Sequence, residues 1–209
     1  MKYLLIISCL LFTSIGSSKD INSDDLVKRD GLFYEKFMDV PFTGNSIGKE
    51  QGKISKGKQE GEWIKYFEDG QLKWKSNYKN GKEDGEQLWY YENGQLKWKS
   101  NYKNGKEEGE FLWYYENGQL EGKRNYKNGK VEGEYLKYYE NGQLKYKSNH
   151  KDGKQDGEWL YYYDNGQLQF KSNYKDGKKD GETFWYKENG KLIKTEIYKD
   201  GKFIETITP

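Results

Sequence analysis

Residues 89–106 read WYYENGQLKWKSNYKNGK, and residues 113–130 read WYYENGQLEGKRNYKNGK. In both lines aromatic runs are cut by Glu-Asn-Gly on one side and by Lys-Asn-Gly-Lys on the other. Asn-Gly between aromatic runs signals a β-hairpin, because both residues tolerate the positive φ that a tight turn demands. A helix does not fit, since glycine interrupts every possible 3.6-residue apolar stripe. Each line therefore reads as two antiparallel strands.

The pattern extends along the chain. Gly70, Gly94, Gly118, Gly142, Gly166 and Gly190 keep a 24-residue spacing without one insertion, as do the columns that run from Gly57 to Gly201 and from Gly61 to Gly181. Three glycine columns in register describe one structural unit, copied. Six units fill residues 57–200. A degenerate capping copy occupies 31–56 after a linker at 19–30, and a partial strand follows at 201–209. With about 4.8 Å between strands, each unit adds about 10 Å and the six make a sheet about 60 Å long. The expected fold is all-β: an elongated, single-layer antiparallel β-meander of tandem 24-residue hairpins, stabilised by contacts between neighbours. Pro41 in the first copy and the closing Thr-Ile-Thr-Pro suit edges that discourage further pairing.

Composition agrees with order rather than disorder. The 209 residues are 33% hydrophobic and 33% charged, with a mean hydropathy of −1.22, too little aliphatic material for an ordinary two-layer core. Yet 17% are aromatic, with 20 Tyr and 7 Trp, whereas disordered chains are poor in aromatics. A net charge of +2 supplies no whole-chain field to attract nucleic acid.

The first 18 residues, MKYLLIISCLLFTSIGSS, combine a basic start, a short apolar run and small residues at Ser14, Gly16 and Ser18. They read as a signal peptide, so export to the periplasm, cell surface or medium is expected. Cys9, the only cysteine, stands in a sequence like a lipid-attachment site. Too few apolar residues precede it, and the plain signal peptide is the better reading.

Hairpin register has two solutions. A two-residue turn at Asn93-Gly94 sets Trp89 opposite Trp98. A three-residue loop, Glu92-Asn93-Gly94, with a glycine bulge sets Tyr90 opposite Leu96 and Leu88 opposite Trp98. The second gathers Leu88, Tyr90, Leu96, Trp98 and Tyr102 on one face, with Leu112, Tyr114, Leu120 and Tyr126 a unit on. It leaves Trp89, Tyr91, Lys97, Lys99 and Asn101 on the other.

The frame Tyr91, Asn93, Gly94, Leu96, Tyr102, Gly105 and Gly109, with its copies, resembles the MORN repeat variant family of bacterial proteins from Arg29 to the C-terminus. That resemblance implies elongated antiparallel sheets used for binding, in members often labelled YwqK-type antitoxins. Original MORN repeats are linked with membranes, phospholipid and protein scaffolding, but their glycine spacing is denser than here.

Enzyme chemistry finds little support. His150, the only histidine, stands in the column of Tyr78, Tyr102, Tyr126, Tyr174 and Tyr198 and fills a tyrosine's place. No Ser-His-Asp set, nucleophilic Cys or zinc-spaced cluster can be assembled. The carboxylates Glu62, Glu86, Glu110, Glu134, Glu158 and Glu182, with Asp84, Glu108, Glu132, Asp156 and Asp180, offer pairs of the type used for glycoside hydrolysis. They recur with the fold, whereas an active site is unique. Lys-Asn-Gly-Lys-Glu-Asp-Gly-Glu lacks EF-hand ligand spacing and contains no phosphate-loop motif. No catalytic residue, metal site or cofactor is expected.

The remaining candidate is the mixed aromatic and lysine face: Trp89, Tyr91, Lys97, Lys99, Trp113, Tyr115, Tyr139, Lys145, Lys147, Tyr161 and Tyr163. It fits a non-enzymatic scaffold for an unknown protein partner, in the manner of an antitoxin or immunity protein. The alternative is an envelope module that binds glycan or phospholipid head groups. A homodimer would also cover the face of a single sheet.

Overall fold

The computed structural model describes residues 18–209; the expected signal peptide up to residue 17, Cys9 included, lies outside the described residues. From Gly44 to Ile207 the chain runs back and forth, each strand hydrogen-bonded to the next. Among the described residues, 17 strands join in one open sheet.

The two ends of each hairpin are built differently. At one end Asn104 (φ 52°) and Gly105 (φ 79°) both take the left-handed conformation, and Lys103 pairs directly with Lys106. Two positive φ values between paired strands define a two-residue turn whose twist matches the sheet. Within Lys-Asn-Gly-Lys-Glu-Glu-Gly-Glu at 103–110 the connector thus shrinks to two residues. Its second glycine is a bulge instead. Ser76 faces Gln87 and Tyr78 faces Glu83, so Asp84, Gly85 and Glu86 stand against Asn77 alone, with Gly85 at φ 119°. A bulge of this kind bends and twists the strand.

At the other end the three-residue loop forms as expected: Tyr91 N–H donates to the Gln95 carbonyl at 2.9 Å and Gly94 N–H to the Tyr91 carbonyl at 3.0 Å. Tyr90 then pairs with Leu96. The expected continuation fails one residue later. Lys97 is bulged out, and the next pairs are Trp89 with Trp98 and Leu88 with Lys99. Because side chains alternate, one extra residue moves everything beyond it to the opposite face. Trp98 and Tyr102 therefore lie with Trp89, while Lys99 and Asn101 lie with Leu88.

Residues 19–30 are not a linker. Lys19–Asn22 adds a strand parallel to Gly44–Ile47, and Leu26–Arg29 pairs with Leu32–Glu35 as a separate hairpin. Pro41 makes a single bridge to Tyr34 on the edge of this small hairpin, not on the edge of the large sheet. Backbone bonds Phe33 N–H to Gly57 O (2.8 Å) and Gly57 N–H to Phe42 O (2.7 Å) tie the hairpin to the first turn of the array. Leu26 and Phe33 pack on a core of Ile21, Phe42, Ile54, Trp63 and Trp74. Phe33 stacks on Trp63 at 6.0 Å, and Trp63 is only 1% exposed. Burying a side chain the size of Phe33 stabilises by about 1.5–3 kcal/mol. This is the cap that a repeat array needs, and it gives one end of the sheet a second layer. At the far end Lys202–Ile207 pairs only with Leu192–Lys199, leaving Phe203, Ile204 and Ile207 exposed.

Candidate binding face

The Lys97-type bulge builds the face. With it in place, neighbouring strands bring ring beside ring: Trp74 to Trp89 at 6.2 Å, Trp89 to Trp98 at 5.4 Å and Trp98 to Phe111 at 5.5 Å, with planes 19–26° apart. Past Trp113 the contacts turn edge-on, as in Tyr135–Tyr146 (5.1 Å, 75°) and Phe170–Trp185 (4.6 Å, 66°). Aromatic pairs contribute about 0.5–1.5 kcal/mol beyond the area they bury. Two residues further along the strand stand Ser76, Ser100, Ser148 and Ser172, all 1–2% exposed. Beyond them comes a second row, Tyr78, Tyr102, Tyr126, His150, Tyr174 and Tyr198. The two aromatic rows close over the serines, and so substitute in part for a missing second layer. Burial pushes the Tyr102, Tyr146 and Tyr174 hydroxyls up to about 12. His150 lies 6.1 Å from the Tyr135 ring, and burial followed by the Arg124 charge holds its pKa below the ordinary histidine value.

The residues that the sequence groups on one face are divided. Trp89, Trp113 and Tyr161 belong to the aromatic row. Lys99 and Lys147 are on the opposite face, where Lys99 pairs with Leu88 and Lys147 meets Glu134 at 2.6 Å. That ion pair repeats as Lys75–Glu62 and Lys171–Glu158, each at 2.6 Å, and the hydrogen bond to glutamate raises all three lysine pKa values. Lys97 does not face Trp89; as bulged residues, Lys97 and Lys145 lie over the rings of Tyr91 and Tyr139 at 5.1 and 5.0 Å. Tyr91, Tyr115, Tyr139 and Tyr163 donate their hydroxyl protons to the carbonyls of Tyr114, Tyr138, Tyr162 and Tyr186, at 2.7–2.9 Å. These tyrosines lace each loop to the next, so they offer ring surface but no free hydroxyl proton.

The recurring carboxylates also have places in the frame. Asp84 accepts from Asn104 N–H at 3.0 Å, Glu108 from Asn128 N–H at 2.8 Å and Glu132 from Asp152 N–H at 2.8 Å. Each ties one Asn-Gly or Asp-Gly turn to the unit before it.

Comparison with known proteins fits this geometry. A family model described as MORN repeat variant matches residues 59–82, 83–106, 107–128, 131–152, 155–176 and 179–200. The chain belongs to the MORN repeat variant family. Its repeats suggest a binding module. No curated protein matches. Among solved structures, one chain of a crystal structure entitled GtfA/B complex bound to UDP and GlcNAc is 15% identical, over 65% of this chain and 24% of that one, with a TM-score of 0.18. A likeness that slight carries no argument.

A unit inside the MORN array breaks the pattern. Where four units place Trp74, Trp98, Tyr146 and Phe170, this unit has Gly122, and where they place serine it has Arg124; the last unit departs as well, with Lys194 and Glu196. The Trp113 indole lies over Gly122 so closely that an added Cβ would be 2.3 Å from it and 2.6 Å from the Leu136 carbonyl oxygen. The Arg124 guanidinium sits 4.9–5.8 Å from the rings of Phe111, Trp113, Tyr126 and Tyr135. Above them opens a notch of about 340 Å³, lined also by Lys97, Trp98, Glu121 and Lys137. Sequence reasoning passed over it, although Glu-Gly-Lys-Arg at 121–124 against Lys-Trp-Lys-Ser at 97–100 was a visible signal.

Proposed function

We propose that this protein is a non-enzymatic, exported interaction scaffold whose open aromatic face takes a protein partner. One observation carries the reading. At the N-terminal end the chain covers its own face, packing Leu26 and Phe33 on the cluster that holds Trp63 and Trp74, whereas from Trp89 to Trp185 the row continues with most of its rings half-buried, Tyr146 and Phe170 excepted, and with no such layer among the described residues. A partner that supplies apolar side chains in the manner of the cap would bury what remains open. Half-buried Trp and Tyr are the residues that dominate binding energy at protein interfaces. The family resemblance suggests an immunity-type pair, with a toxin as the partner.

Stacking weighs against the glycan reading. A sugar ring needs an aromatic face, and in the stretch Trp74, Trp89, Trp98 and Phe111 those faces are spent on one another. Export rests on the first 18 residues.

The test is capture of a discrete protein from envelope and secreted fractions by the tagged protein, compared with Trp89→Ala/Trp113→Ala. A partner retained by the wild type and lost by the folded double variant supports the scaffold. Retention of wall or lipid material alone, or a partner indifferent to both tryptophans, overturns it.

A further inference from the structure

We infer that the notch at Gly122 and Arg124 receives a carboxylate side chain, aspartate or glutamate, that a protein partner presents beside an apolar residue. The source of the carboxylate rests on the scaffold reading above; the chemistry of the notch does not. Arginine offers five donors in a planar fork that matches a carboxylate, and it accepts nothing. Here the fork lies among four rings, and its buried Nε has no hydrogen-bond partner. In the same column Ser148 and Ser172 find partners in Tyr146 and Thr183. The acid that lines the notch, Glu121, is paired with Lys137 at 3.5 Å rather than with Arg124. Lys97, Arg124 and Lys137 thus bring three cations against one acid, an excess of positive charge that an incoming carboxylate offsets in part.

Shape limits the occupant as charge does. The column loses its ring at Gly122 between Trp98 and Tyr146, so the notch is a gap inside the row, whereas Lys194 stands at its end. Trp98, Phe111 and Trp113 form its apolar wall. A partner side chain entering here would fix the register of binding along an array whose other units are nearly alike, and it would do so at one unit only.

The probe is N-acetyl-Phe-Glu-amide, titrated into the protein and followed by the indole N–H resonances of Trp98 and Trp113, with N-acetyl-Phe-Gln-amide and inorganic phosphate as comparisons. Arg124→Ser installs the residue that other units carry and keeps the fold. Saturable shifts are expected with the Glu peptide, at least tenfold weaker with the Gln peptide and in Arg124→Ser, and intermediate in Arg124→Lys. Equal binding of the two peptides, equal binding to Arg124→Ser, absence of saturable shifts, or saturation by phosphate alone would overturn the inference. The probe needs no partner. Peptide binding without any captured protein therefore keeps the notch and removes the scaffold, and the reverse result removes the notch alone.

Discussion

Tyr115 donates its hydroxyl proton to the carbonyl oxygen of Tyr138, 23 residues on, at 2.7 Å. The acceptor ends a strand where the next loop begins, so the bond ties two hairpins that have no turn in common. Phe67 and Lys187, at the two ends of the same column, carry no phenol. Tyr115→Phe should therefore lower unfolding free energy by about 1 kcal/mol, the net worth of one intramolecular hydrogen bond, with an unchanged β-spectrum. Urea unfolding measures it. A loss below a few tenths would mean that water serves the Tyr138 carbonyl equally well.

The bulge at Lys97 predicts opposite results for adjacent residues. Trp98 lies between Trp89 and Phe111, and Trp98→Ala opens the stack. The expected cost is about 2–3 kcal/mol, below the 3–5 of a fully buried ring, because Trp98 is half-exposed. Lys99→Ala, on the other face, should stay within about 0.5 kcal/mol. Comparable losses at both sites would place the register one residue away.

His150 gives the array an acid-sensitive point. Its folded pKa lies below the ordinary 6.5, through burial and the Arg124 charge. Between the two values the unfolded chain binds more protons than the folded one, so the contribution of His150 to stability falls as pH drops below about 6.5 and is constant above it. His150→Tyr restores the column residue and removes this dependence. Urea midpoints of wild type and variant should diverge on going from about pH 8 to pH 5, with the wild type losing more; parallel curves would show that His150 does not titrate on unfolding.

Much of this architecture was legible because glycine and Asn-Gly report backbone conformation directly. Gly94, Gly105 and their copies fix the unit, its length and the number of strands. The face was harder to read. Lys97 looks like any alternating strand residue, and nothing local tells that it is extruded, yet its extrusion decides whether Trp98 joins Trp89 or Leu88. The cause does not lie in the ring that follows: the same extrusion occurs where that column holds Gly122 or Lys194. The same limit applies to residues 19–30, whose strand forms only because Gly44–Ile47 offers an edge to pair with. Gly122 and Arg124 are a different case. They stood in plain view as departures from two columns, and their meaning appeared only when Trp113 was seen lying over the missing side chain.

Deleting residues 105–128 tests the repeat as a physical unit. The cut joins Asn104 to Gly129, which regenerates an Asn-Gly turn, and it brings Trp98 beside Tyr135 in place of Phe111. Tyr91 then finds the Tyr138 carbonyl where Tyr114 had been. Since each unit contacts only its neighbours, the shortened chain should fold with the same β-spectrum, unfold in one transition and lose stability equal to one unit and one interface. Removing half a unit, residues 105–116, leaves no such continuity. It drops one strand, so Leu120–Lys127 must take the place of Gly109–Tyr114 beside Leu96–Lys103, where its bulge and side-chain pattern do not match; aggregation or a molten spectrum is expected. If the whole-unit deletion instead lost all β-signal, stability would reside in some long-range contact that the meander does not contain.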